Sequence, residues 1–152
     1  MNAFSLLLRT APLAFALAGC LSAQANDAGY ALSFSGAGNY VSVGTTGSVT
    51  GVFTVECWAN PGDPGAAIGM IGSRKPADNS FDMKFYQGNK VQADIGDGSA
   101  WLITSAAAPL PYTVGVWYHV ACVVTHTNCT IFINGVQAGG GSYAPGTPVL
   151  FD

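Results

Sequence analysis

From Tyr30 onward, apolar and polar residues alternate in short runs, each bounded by Gly, Pro, Asn or Ser. The runs recur at roughly 8 to 12 residues, the spacing of an antiparallel sandwich or barrel. No stretch carries the 3.6-residue period of an amphipathic helix. The pattern predicts strands over residues 30–34, 40–43, 53–60, 67–72, 81–86, 90–95, 101–105, 117–125 and 129–134. In the third of these, a period of two sets Phe53, Val55 and Cys57 on one face and Thr54, Glu56 and Trp58 on the other. Bulk on both faces predicts an inner strand.

The clearest local pattern is the pair of runs on either side of His126-Thr127. With the turn there, Val124 faces Cys129 and Cys122 faces Ile131, so Val120, Cys122, Val124, Cys129, Ile131 and Ile133 share one apolar face. Asn134-Gly135 then predicts a tight turn needing positive φ, returning the chain into Val136-Gln137-Ala138. Gly139-Gly140-Gly141 is expected to end regular structure.

Ahead of the strands, Arg9 precedes an apolar run from Ala11 to Ala18 that is shorter than the about 20 residues a bilayer span requires. It reads as an export signal over residues 1–25, followed by one domain over 26–152. Two cleavage patterns are present. Ala23-Gln24-Ala25 suits ordinary signal peptidase and a soluble secreted or periplasmic product, whereas Leu17-Ala18-Gly19-Cys20 matches a lipobox, which would lipidate Cys20 after a signal of residues 1–19 and anchor the protein at the outer membrane.

Composition fits an exported domain. Of 152 residues, 49% are hydrophobic and only 9% charged, against roughly 25% charged in ordinary soluble domains. Loss of Arg9 with the signal leaves Arg74, Lys75, Lys84 and Lys90 against eight acidic residues. No basic patch can be assembled, which excludes nucleic acid as a partner. A membrane enters only through lipidation at Cys20.

Three stretches resemble the laminin G-like, or concanavalin A-like, jelly roll domains of secreted bacterial proteins. Ala31-Leu32-Ser33-Phe34-Ser35-Gly36 with Asn39-Tyr40-Val41-Ser42-Val43 resembles the family's opening strand pair. Phe53 to Pro61 resembles its third strand, with Trp58 as the buried tryptophan, and Trp117 to Ala121 with Ile131 to Val136 resembles its late hairpin. The resemblance runs from about Ala31 to Phe151 and implies an all-β antiparallel sandwich. Family members normally close the sandwich with a further strand pair after the position of Val149-Leu150-Phe151, so an incomplete domain with an open sheet edge is expected, and with it self-association by strand pairing into a homo-oligomer.

Glucanases of this fold carry a Glu-x-Asp-x-Glu type run, and this chain has a single glutamate, Glu56. His119 and His126 have no nucleophile placed by a recognisable motif, and no zinc-ligand spacing occurs. The sequence therefore predicts no enzyme activity. Asp94 and Asp97, separated by Ile95-Gly96 and followed by Gly98, are candidate calcium ligands, with a plain strand end and turn as the alternative. Trp101 follows that loop, and Trp101, Asp97, Tyr86 and Tyr112 are the candidate ligand contacts; Trp58 and Trp117 are expected in the core.

Export permits a disulfide, and Cys57 with Cys122 is the expected pair because both fall in strands expected to be central. Cys122 and Cys129 share a hairpin but are not directly opposite, which places them beyond the usual reach. Three functions stay open at this point: a non-catalytic module binding glycan or an envelope protein, a structural protein assembling edge to edge into a surface layer or fibre, and, third, a degraded or partial enzyme domain.

Overall fold

The computed structural model describes residues 31–36, 38–43, 47–65, 67–73 and 79–151. The expected signal over residues 1–25 and Cys20 lie outside the described residues, as does Tyr30. The chain divides into two units, residues 1–34 and 35–152. The described part of the first, residues 31–34, carries no regular secondary structure. Among the described residues no helix is long and apolar enough to cross a membrane.

Among the described residues of the second unit there are ten strands: β1 (Ser48–Thr50), β2 (Phe53–Ala59), β3 (Ala67–Gly72), β4 (Phe81–Tyr86), β5 (Lys90–Gly96), β6 (Trp101–Pro109), β7 (Tyr118–Val124), β8 (Asn128–Ile133), β9 (Val136–Ser142) and β10 (Val149–Phe151). β1 and β10 form a two-stranded sheet; the other eight form an antiparallel sheet in the order β2-β7-β8-β9-β6-β5-β4-β3.

That sheet doubles back on itself. Phe53 of β2 and Phe81 of β4 are six strand positions apart, roughly 29 Å in a flat sheet at about 4.8 Å per strand. Yet their rings meet edge to face with centroids 5.8 Å apart. Phe85 of β4 likewise meets Tyr118 of β7 at 5.9 Å. The result is a sandwich, with β2-β7-β8-β9 as one layer and β6-β5-β4-β3 as the other. Between them lie Phe53 and Val55, Val120, Cys122 and Val124, and Ile131 from the first layer, against Phe81, Met83, Phe85, Val91, Ala93 and Ile95 from the second, all buried.

The fold line runs between β9 and β6, where the only register pair is Ala107 with Gly140. Here Gly139-Gly140-Gly141 is strand, not the end of regular structure expected from its composition. A Cβ at Gly139 would collide with the Ala107 carbonyl, and one at Gly140 with the Cys129 carbonyl. Gly140 also holds φ at +147°. Close backbone approach demands glycine at this corner, so composition misread a structural requirement as a breaker.

The β7–β8 hairpin has the expected register, Val120 with Ile133, Cys122 with Ile131 and Val124 with Cys129. Asn134 (φ 51°) and Gly135 (φ 79°) make the expected tight turn. Other expectations are corrected. Residues 31–34 and 40–43 form no strands, so the opening pair is not formed, and Tyr40 and Val43 are exposed. Among the described residues β2 pairs only with β7, which makes it an edge strand rather than an inner one. Trp58 and Trp117 are not core: they are 60% and 47% exposed. Because Phe53 and Val55 point inward, the period of two turns Trp58 outward, whatever its hydrophobicity.

Candidate functional site

The outward face of β2 and β7 follows from their register, in which Thr54 lies opposite Val123, Glu56 opposite Ala121 and Trp58 opposite His119. The Trp58 indole and the His119 imidazole have centroids 5.3 Å apart with planes inclined at 52°. His119 Nε2 lies 3.5 Å from Glu56 Oε2, with side-chain exposures of 26% and 64%. An aromatic plate thus stands beside an imidazole and a carboxylate, all reachable from solvent.

The neighbouring hairpin turn fixes His119. Its backbone N–H donates to Asn134 Oδ1 at 3.0 Å, and the Asn134 N–H donates to the His119 carbonyl at 2.8 Å. Immediately before β7, Val114, Val116 and Trp117 are also exposed. The loop that carries them is tied down by Gly115 N–H to the Pro61 carbonyl at 3.1 Å and by Thr113 N–H to the Tyr118 hydroxyl at 3.0 Å. The exposed aromatics therefore rise from a fixed backbone.

The residues expected from the sequence as ligand contacts do not gather. Tyr86 pairs with Lys90 at one end of β5, and Trp101 pairs with Gly96 at the other. Six residues of strand, about 20 Å, separate the two positions. Tyr86 carries Lys90 Nζ over its ring at 5.0 Å. Tyr112 is buried, packed on Phe85 with centroids 4.9 Å apart. Its hydroxyl accepts from Gly88 N–H at 3.0 Å and donates to the Asp63 carbonyl.

The two expected calcium ligands each accept hydrogen bonds from groups of the protein. Asp97 Oδ1 accepts from the backbone N–H groups of Ser99 and Ala100 at 2.8 and 2.6 Å. These bonds, Ala100 first, hold its carboxyl below the usual range. Asp94 is buried on β5, with Lys84 Nζ 2.6 Å from Oδ2 and Gln92 Nε2 3.0 Å from Oδ1. Asp82, its register partner on β4, takes the same ammonium at 2.7 Å. Burial pulls the Lys84 pKa down, but the hydrogen bonds and charges of Asp82 and Asp94 outweigh it and leave the group raised. Both carboxylates thus already have protein donors, and among the described residues no three His, Cys, Asp or Glu side chains cluster as a metal would require.

Cys57, Cys122 and Cys129 stand as free thiols. All three occupy inward positions on neighbouring strands β2, β7 and β8, and Cys122 and Cys129 are buried.

A family model described as the concanavalin A-like lectin/glucanases superfamily matches residues 35–151. The chain belongs to this superfamily. Membership accounts for the doubled-over antiparallel sheet and is compatible with a carbohydrate-binding or adhesion module. No curated protein and no solved structure matches the chain. Within the superfamily framework, the sequence reading missed the Trp58, His119 and Glu56 face because it assigned Trp58 to the core. The strand period was the information that could have found it.

Proposed function

We propose that this lectin/glucanase-like domain is a non-catalytic glycan-recognition module working outside the cytoplasm, with Trp58 as its sugar platform. One observation carries the reading: Trp58 leaves a strand at 60% exposure with His119 and Glu56 at its edge. An indole face stacks on the C–H face of a pyranose ring, while imidazole and carboxylate supply a donor and an acceptor for ring hydroxyls. Retaining hydrolysis needs two carboxyl groups about 5–5.5 Å apart. The register neighbours of Glu56 on its face are Thr54, Trp58 and Ala121, none of them acidic. Asp82 and Asp94 share a lysine. These features support binding without cleavage. The location rests on the signal pattern in residues 1–25.

Electrophoresis through gels containing soluble polysaccharides tests the proposal. The protein is expected to be retarded by at least one of them, Trp58→Ala to migrate freely, and Trp101→Ala to be retarded as the parent is. Equal retardation of parent and Trp58→Ala would overturn the assigned face, and free migration in every glycan would overturn the function.

A second reading has its own observation. Among the described residues β2 is paired along one edge only, and Val52 beside it is 59% exposed. Pairing of β2 with a second copy would extend the sheet across two molecules. Sedimentation velocity separates the readings, since edge assembly predicts growth with concentration in the absence of sugar.

A further inference from the structure

The carboxylates of the described residues differ in what holds them. Asp82 and Asp94 share the Lys84 ammonium at 2.7 and 2.6 Å. Asp97 accepts the Ser99 and Ala100 N–H groups, and Asp63 accepts that of Gly65 at 2.6 Å. Among the described residues neither a lysine nor a backbone donor holds Glu56; its neighbour is His119 Nε2, 3.5 Å from Oε2. That separation is longer than a normal hydrogen bond. The Glu56 side chain thus stands 64% exposed, with its charge open to a further donor.

Glu56 and Trp58 lie two residues apart on the outward face of β2, about 7 Å between Cα atoms. Opposite them on β7 stand Ala121 and His119, and the next pair, Thr54 with Val123, is uncharged. The described lysines, Lys84 and Lys90, are on β4 and β5 in the other layer, where Lys84 is bound by the two aspartates and Lys90 lies over Tyr86. Charge beside the Trp58 indole is therefore set by Glu56, in a chain of net charge −3. An indole face attracts a cation within about 6 Å of its centroid, and a carboxylate pairs with one within about 4 Å. A uronic acid or sulfated sugar would meet Glu56 as a like charge.

Resting on the glycan-binding reading of Trp58, we propose that the glycan is a polymer of β-linked 2-amino sugars with free amines, one protonated amine sitting between the Trp58 indole and Glu56. The pyranose ring stacks on the indole through its C–H face, and the ammonium on C2 pairs with the carboxylate two residues along the strand. His119 packs against the indole at 5.3 Å and stays beside Oε2, so it positions both groups. Selectivity then comes from the charge at C2 rather than from the shape of the ring. A hydroxyl there lacks the cation, and an N-acetyl group removes the charge while adding bulk.

The test is isothermal titration calorimetry of the full chain at pH 6 and low salt with three β-1,4-linked hexasaccharides that differ only at C2: those of glucosamine, N-acetylglucosamine and glucose. The glucosamine hexamer should bind at least about fivefold tighter than the other two. Glu56→Gln, at an exposed position, should remove that advantage, and Trp58→Ala should abolish binding of all three. Asp97→Asn removes the same charge from the β5–β6 loop while keeping an Oδ1 acceptor for its turn, and should leave the preference intact. Equal, Trp58-dependent binding of the three would keep the sugar platform and overturn the amine assignment. A preference that survives Glu56→Gln, or is lost equally in Asp97→Asn, would reduce it to general attraction by an acidic chain and overturn it too. No binding of the glucosamine hexamer also overturns the assignment, while retardation by another polysaccharide in the gel would still uphold Trp58 as the platform.

Discussion

The Trp58 indole rests 5.3 Å, centroid to centroid, from the His119 imidazole, on the outward face of two strands whose inward faces build the core. The two faces of β2 therefore answer to different demands. Phe53 and Val55 hold the layers together, while Trp58 and Glu56 are held out to solvent.

That division predicts a separation of stability from binding. Trp58→Ala should change the unfolding free energy by no more than about 0.5 kcal/mol, as for an ordinary surface substitution. Phe85→Ala removes a fully buried ring packed on Tyr112 and Tyr118, and should cost about 3–5 kcal/mol. Urea denaturation of both variants checks the contrast.

Lys84 is the cation that lets Asp82 and Asp94 stand opposite each other. Lys84→Met should destabilise the protein at pH 7 by about 2 kcal/mol, because it leaves two carboxylates facing across a strand pair. Adding Asp94→Asn should recover part of it. Chemical denaturation at pH 7, with the double variant alongside, reads both effects.

At the corner between β9 and β6, Gly140→Ala should cost at least about 3 kcal/mol, since the new methyl meets the Cys129 carbonyl and the backbone conformation disfavours a side chain. Gly69→Ala is the control, because nothing lies within 4 Å of its Cβ position. Thermal unfolding should show a large fall for the first and little change for the second.

Tyr143 donates its hydroxyl to the Thr125 and Asn128 carbonyls at the β7–β8 turn. Burial, with the neighbouring Cys129 and Cys122, pushes its pKa up from 10.0 to about 12. The raised value means that its contribution to stability is complete below pH 10 and is lost as the pH rises from there towards 12. Tyr143→Phe should therefore be less stable at pH 7, by about 1 kcal/mol for the lost hydrogen bonds. Its stability should also fall less steeply above pH 10. Absorbance at 295 nm should lose the tyrosine transition near pH 12.

Much of the fold was legible because alternation and turns are local. The register of Val120, Cys122 and Val124 against Cys129, Ile131 and Ile133 followed from a turn at His126-Thr127 alone. The route of the sheet did not, because its corner is Gly139-Gly140-Gly141, a strand with no side chains to register as one. Tyr112 was beyond local reading too: its burial depends on Phe85, Gly88 and Asp63, distant in sequence. The orientation of Trp58 was available from the same alternation that turned Phe53 inward, but resemblance to a family with a buried tryptophan outweighed it. Asp97 caps its own turn, and a carboxylate doing so uses the same Asp and Gly residues as a cation loop, so local sequence does not separate the two roles.

The most direct test of glycan binding at Trp58 is amide and indole chemical-shift mapping on addition of oligosaccharides cut from a retarding polysaccharide. The expected result is a saturable shift of the Trp58 indole N–H, with the amides of Glu56 and His119 moving in parallel and Trp101 still. Shifts centred on Trp101 and Asp97, or none at any Trp58 signal, would contradict it.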